Sequence, residues 1–150
     1  MKVVIQRSKY SKVVVDDKII NEIDFGYVLL VSFTETDSLE DILKMTKKIA
    51  NLRIFDDENG IMNKSILDVQ GKVLSISQFT LYANAYDGNR PSYIKALKAD
   101  EAIKLYEKFN EELNKYVPTF PGIFGADMKV SILNDGPVTI LLETKNGRFI

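Results

Sequence analysis

"MKVSILNDGPVTILLE", residues 128–143, holds two apolar runs, "MKVSIL" and "VTILLE", on either side of a polar junction. Both runs are rich in Val, Ile and Leu and read as strands. How they are related depends on the junction. A tight hairpin needs only Asn-Gly or Asp-Gly, yet here a proline follows Gly136. Pro137 donates no backbone N–H and fixes its own φ, so it belongs at an edge, in a turn or in a site rather than inside a central strand. Turn residues dominate such junctions, and spacing alone predicts a plain turn between two strands.

Further runs with strand character are "KVVIQR", "SKVVVD", "YVLLVSF" and "KVLSISQFTLY". Two segments have helical periodicity instead. In "DSLEDILKMTKKIANL", Leu39, Ile42, Leu43, Ile49 and Ala50 share a face, and Asp37 with Glu40 resembles a capping pair. In "ADEAIKLYEKFNEELNKY", Ala102, Leu105, Tyr106, Phe109, Leu113 and Tyr116 form a second stripe. Asp16-Asp17 and "DDENG" at 56–60 are turn candidates. Strands, a helix, a strand, a helix and further strands predict an α/β domain with helices packed on mixed or antiparallel sheets. At 150 residues, with no linker or repeat, residues 1–150 read as one domain.

Composition narrows the chemistry. The apolar fraction is 45% and the charged fraction 27%, as in folded globular proteins. No segment is long and apolar enough for a membrane span, and the apolar run near the start is too short for a signal peptide, so the expected location is the cytosol. The chain has no cysteine and no histidine. That excludes a Ser-His-Asp triad, a Cys-His pair and zinc sites of the usual ligands. Catalysis would fall to hydroxyls, carboxylates, lysines, backbone groups or the substrate. Net charge is −1, which argues against a broad basic face for duplex, and no DNA partner is expected. Lys2, Arg7, Lys9 and Lys12 give the start a local basic excess, which fits either a lysine-protected strand edge or a local anion contact.

Within "KVLSISQFTLY" the apolar phase inverts. Leu74 and Ile76 alternate with Ser75 and Ser77, but beyond them Phe79 and Leu81 become the apolar positions. A period of two inverts where a strand bulges or changes neighbours, and bulges gather near active sites. Ser77, Gln78, Phe79 and Thr80 are therefore the first candidates for chemistry; a strand passing between layers explains the inversion equally well. "DGNRPSY" and "FPGIFGADM" are turn-rich loops of the sort that carry ligand contacts.

Together, "SQFTLY" at 77–82, "NRPSY" at 89–93, "FGADM" at 124–128 and "NDGPVT" at 134–139 resemble the D-aminoacyl-tRNA deacylase family, and the likeness runs from "VVIQR" to "VTILLE". The resemblance implies a layered β/β/α fold and a homodimeric hydrolase that releases a D-amino acid from the 3′ adenosine of tRNA. It implies no metal and no cofactor. It further implies that Gly136 and Pro137 form a cis pair reaching into the partner subunit's site, where their carbonyls hold the substrate amino group and exclude L side chains by clash. Glycyl-tRNA would not be fully excluded. Backbone N–H groups near Gln78 and Phe79 would meet the oxyanion. Ser77 and Thr80 would position a substrate-assisted attack, with a direct Thr80 nucleophile as the alternative. Phe124, Gly125, Ala126 and Met128 would hold the adenosine, Arg7 would brace the Gly-Pro loop, and Arg90 would meet a phosphate. The chain departs from the family's more basic loop at Asp87, Gly88 and Asn89, and has Pro121 where threonine is common. The competing expectations are a dimeric tRNA- or nucleotide-binding protein without activity and a general esterase using Thr80.

Overall fold

Strand β1 (Lys2–Val15) is the spine of the computed structural model, which describes residues 1–150. It absorbs both "KVVIQR" and "SKVVVD", expected as separate strands, and turns at Asp16-Asp17 into β2 (Lys18–Ile23). Both aspartates have positive φ, which Asp tolerates in tight turns. Strand β3 (Gly26–Ser32) pairs antiparallel with the first half of β1, and helix α1 (Leu39–Asn51) follows. A small hairpin, β4 (Arg53–Asp56) and β5 (Met62–Ser65), flanks the "DDENG" turn. Strand β6 (Lys72–Ser77) lies parallel to β3. Gly26 permits that pairing: a Cβ there would sit 1.8 Å from the Lys72 carbonyl oxygen. After helix α2 (Ala99–Asn114) come β7 (Thr119–Pro121), β8 (Lys129–Lys145) and β9 (Arg148–Phe149).

The main sheet runs β7-β6-β3-β1-β8-β9 with β2 added to β1. The fold is thus mixed α/β, as expected. Val3 and Ile5 of β1 face the larger core, which Ile42, Met45 and Ile49 of α1 and Tyr106, Phe109 and Leu113 of α2 complete. Val13, farther along the same strand, packs on the other face with Ile23, Val28, Leu74 and Ile76. β1 therefore passes from one layer to the next, and the sheet curls with it. Register shifts between Gln6 and Ser8 and between Ser8 and Ser11 mark the crossing.

Three expectations need correction. "MKVSIL" and "VTILLE" are not two strands joined by a turn; both belong to β8, which stays paired with β1 on either side of Gly136-Pro137. β1 supplies a full-length template, so the proline is accommodated as a bulge on an edge. "KVLSISQFTLY" is not a continuous strand either. Its pairing with β3 ends at Val31↔Ser77, and residues Phe79–Tyr82 close a 3₁₀ turn, with Leu81 N–H donating to the Gln78 carbonyl at 3.2 Å. In α1 the cap is Ser38 with Asp41 rather than Asp37 with Glu40: the Asp41 carboxylate accepts the Ser38 N–H at 3.0 Å. Asp37 instead accepts the Thr34 N–H and the Met1 ammonium. The face also turns slightly, leaving Leu39 and Leu43 exposed and burying Met45.

Candidate functional site

Where β6 ends, the sheet opens into a cleft of about 530 Å³. Ser77, Gln78 and Phe79 form one wall. Phe124, Gly125, Ala126 and Met128, on the loop that enters β8, form the opposite wall. Two motifs that sequence reading treated separately, about fifty residues apart, thus share one cavity. Ser32 and Phe33 at the end of β3, Leu97 before α2 and Ala99 at its first position complete the lining. Most of the lining is apolar, which weakens competition from water.

Buried groups behind the cleft fix the distance between its walls. The Tyr106 hydroxyl donates to the Ser75 carbonyl at 2.7 Å, and the Gly122 N–H donates to the same oxygen at 2.8 Å. Burial pushes the Tyr106 phenol up, so it stays a protonated donor. Its ring also packs 5.8 Å from that of Phe124. One side chain of α2 therefore ties the end of β6 to the loop that enters β8. Helical spacing marked Tyr106 only as core, and nothing in the sequence announces this second role.

Backbone donors follow from the break at Ser77. The Gln78 N–H, expected among the oxyanion donors, is already given to the Val31 carbonyl at 2.7 Å. The Phe79 N–H begins the 3₁₀ turn and has no backbone acceptor, which leaves it a free donor, as is the Thr80 N–H that follows it. The Gln78 side-chain amide donates to Thr80 Oγ1 at 2.5 Å. Thr80 therefore touches the site through Gln78 and does not itself line the cavity. Asp127 is the only charged residue of the lining; its carboxylate is exposed and accepts the Lys129 ammonium at 2.7 Å. No side chain in the cavity is placed to deprotonate Thr80.

Gly136 and Pro137 lie elsewhere. Gln6 pairs with Thr139 and Ser8 with Asn134, so Asp135, Gly136, Pro137 and Val138 bulge out opposite Arg7 alone. Both Gly136 and Pro137 are exposed, their peptide bond is cis, and neither lines the cleft of its own chain. Asn134 closes the neck of the bulge: its Oδ1 accepts the Val138 N–H at 3.1 Å and its amide donates to Thr139 Oγ1 at 2.9 Å. Arg7 sits beneath. It donates to the Asp135 carbonyl at 3.0 Å, the Ile54 carbonyl at 2.9 Å and Asp56 Oδ1 at 3.2 Å. Asn134 and Thr139 were not singled out in the sequence, although Asn before a Gly-Pro pair is a residue suited to closing a turn. Arg90 lies apart, exposed on the loop after the 3₁₀ turn.

The model of the D-Tyr-tRNA(Tyr) deacylase family matches residues 4–143. The chain belongs to this deacylase family. That membership makes it a hydrolase, and the relatives agree over almost their whole length. The D-aminoacyl-tRNA deacylase of Bacteroides fragilis (strain YCH46) is 57% identical, over 97% of this chain and 99% of its own. Among solved structures, one described as c-Myc DNA Unwinding Element Binding Protein superposes with a TM-score of 0.91 at 40% identity, covering 96% of this chain and 99% of that one. A probable eukaryotic D-amino acid tRNA deacylase superposes at 0.77 with 16% identity, over 93% of this chain and 97% of that one, a likeness of fold.

Proposed function

We propose that this chain hydrolyses the ester between a D-amino acid and the 3′-terminal adenosine of tRNA, a proofreading reaction in translation. The observation that carries the reading is the shared cleft: the free Phe79 N–H stands on one wall and the "FGADM" loop on the other. The adenosine rests against Phe124, Gly125, Ala126 and Met128. Water, oriented by the ribose 2′-OH, attacks the carbonyl carbon; the bond from that carbon to the 3′ oxygen breaks, and the 3′-OH leaves with a proton. Phe79 N–H stabilises the oxyanion. Ser77, Gln78 and Thr80 position the ester. The absence of histidine and of any unpaired base in the lining favours this substrate-assisted course over a Thr80 nucleophile.

Chiral selection belongs to Gly136 and Pro137 of a second copy, because the exposed bulge does not line the cleft of its own chain. The protein acts as a cytoplasmic homodimer. Its carbonyl wall meets the substrate amino group and clashes with an L side chain; a D side chain points to open space. Glycine, having no side chain, is partly accepted.

The test is the rate of ester loss from D-tyrosyl-tRNA and L-tyrosyl-tRNA with metal-stripped protein, for wild type and Thr80→Ala. Rapid loss of the D form only, with residual turnover in Thr80→Ala, is expected. Loss of both forms at equal rates, together with abolished turnover in Thr80→Ala, favours the general esterase. A second reading, nucleic-acid binding without hydrolysis, draws on the structural relative described as a DNA unwinding element binding protein. Binding of tRNA with no loss of either ester would support it.

A further inference from the structure

An aromatic pair stands at the mouth of the cleft. Phe79 and Tyr93 meet edge to face, with ring centroids 5.0 Å apart and planes at 68°. They are 56% and 41% exposed. Every other aromatic pair of the chain involves at least one buried ring: Phe55 with Phe25 and Tyr27, and Tyr106 with Phe124. This one leaves ring face uncovered in water next to the site, an arrangement that folding alone does not favour.

The segment bearing Tyr93 is held in place. Ser92 and Asn84 exchange backbone hydrogen bonds of 2.8 and 2.9 Å. Thr34 Oγ1 donates to the Lys95 carbonyl at 2.6 Å, and the Leu97 N–H donates to the Phe33 carbonyl at 2.9 Å. Tyr93 is thus presented on a fixed strap that runs through Leu97, which lines the cleft, into α2. Between residues 84 and 98 the charged side chains are Arg90, Lys95 and Lys98 against Asp87 alone, which accepts the Asn84 amide at 2.9 Å. None of the three cations forms an ion pair within the chain. Exposed rings, one of them on a segment that carries three unpaired cations, match the chemistry of single-stranded nucleic acid, whose bases stack and whose phosphates are anionic.

We infer that Phe79 and Tyr93 form a stacking platform for the base of the nucleotide preceding the terminal adenosine, with Arg90, Lys95 and Lys98 facing its phosphates. This rests on the deacylase reading, which seats the terminal adenosine in the cleft beside Phe79. The platform adds a contact that an isolated aminoacyl-adenosine cannot make. It is indifferent to base identity, since every base has a π face.

The deciding experiment compares two substrates, D-tyrosyl-tRNA and D-tyrosyl-adenosine, across wild type, Tyr93→Ala and Tyr93→Trp. Tyr93 is partly exposed, so neither change empties the core. Tyr93→Ala is expected to lower the ratio of kcat/KM for tRNA to that for the adenosine ester by about tenfold, the order of one lost base–aromatic stack, mainly through KM. Tyr93→Trp is expected to keep the wild-type ratio. An unchanged ratio in Tyr93→Ala overturns the inference, whether both substrates suffer alike or neither does. If wild type cleaves neither ester, the deacylase reading fails instead. Binding of a single-stranded CCA trinucleotide then decides the platform: about tenfold weaker binding by Tyr93→Ala upholds it, and equal binding overturns it.

Discussion

Arg7 is only 8% exposed, and its guanidinium reaches a carbonyl of the Gly-Pro bulge, a carbonyl of β4 and the Asp56 carboxylate. A planar fork can serve acceptors in different directions at once; an ammonium on a flexible stem cannot. Arg7→Lys keeps the charge and loses the fork. It is expected to reduce the unfolding free energy by about 1–3 kcal/mol, the range for hydrogen bonds made by a charged group, as read from urea melts. With the proposed wall, the same variant is also expected to narrow the difference in rate between D- and L-tyrosyl-tRNA, because Asp135 immediately precedes Gly136. Part of this was legible in "KVVIQRS": Arg7 shares the parity of Val3 and Ile5, so a charge falls on the core face. The acceptors were not legible, since Ile54, Asp56 and Asp135 are distant in sequence.

The start of α1 and the final hairpin depend on one carboxylate. Asp41 Oδ2 accepts the Ser38 N–H and hydroxyl at 3.0 and 2.9 Å, and Oδ1 accepts the Gly147 N–H at 2.9 Å. Burial pushes the Asp41 carboxyl up, but the hydrogen bonds from Gly147 and Ser38 outweigh it and hold the group below the usual carboxylate value. A folded pKa below the unfolded one means that the stabilisation is complete above about pH 4, the unfolded value, and fades as pH falls through the folded value. Asp41→Asn turns a carboxylate into a group with one acceptor and an amide that opposes a donor. Urea melts at pH 7 are expected to show a loss of about 1–2 kcal/mol, shrinking towards pH 3 as wild type loses its own advantage. The existence of both helices was readable because their apolar spacing is strong. The cap was misplaced by one residue because Asp37 and Ser38 are both good cap types, and only the Met1 and Thr34 contacts of Asp37 settle the choice.

Over the whole molecule, the strands misread in the sequence are those whose role is set by a neighbour. The strand character of "MKVSIL" and "VTILLE" was read correctly, but their continuity depends on β1, which pairs with both halves of β8 across the bulge. The two cleft motifs were found as residues, whereas their meeting depends on the curl of the sheet and on Tyr106 behind it. The same curl leaves the bulge and the cleft on separate parts of the surface. On its free side β8 is paired only at Thr144 and Lys145, by β9, and Leu133 and Leu141 are exposed along its length. In the proposed homodimer, each working site takes its cleft from one copy and its Gly-Pro wall from the other, which makes complementation the strongest test. Ala126→Trp fills the cleft and leaves the bulge intact. Gly136→Val spoils the bulge, since Gly136 has φ +128° and an added Cβ would lie 2.7 Å from Val138 Cγ2, while the cleft is untouched. Each variant alone is expected to lose about a hundredfold in D-tyrosyl-tRNA hydrolysis, the scale of a mispositioned reacting group. Co-expression of the two with different tags should restore about a quarter of the wild-type activity, because half of randomly assembled pairs are mixed and one of two sites in each mixed pair is whole. Restoration confined to the doubly tagged fraction is the expected result; a mixed fraction as inactive as its parents would place both halves of the site within one chain.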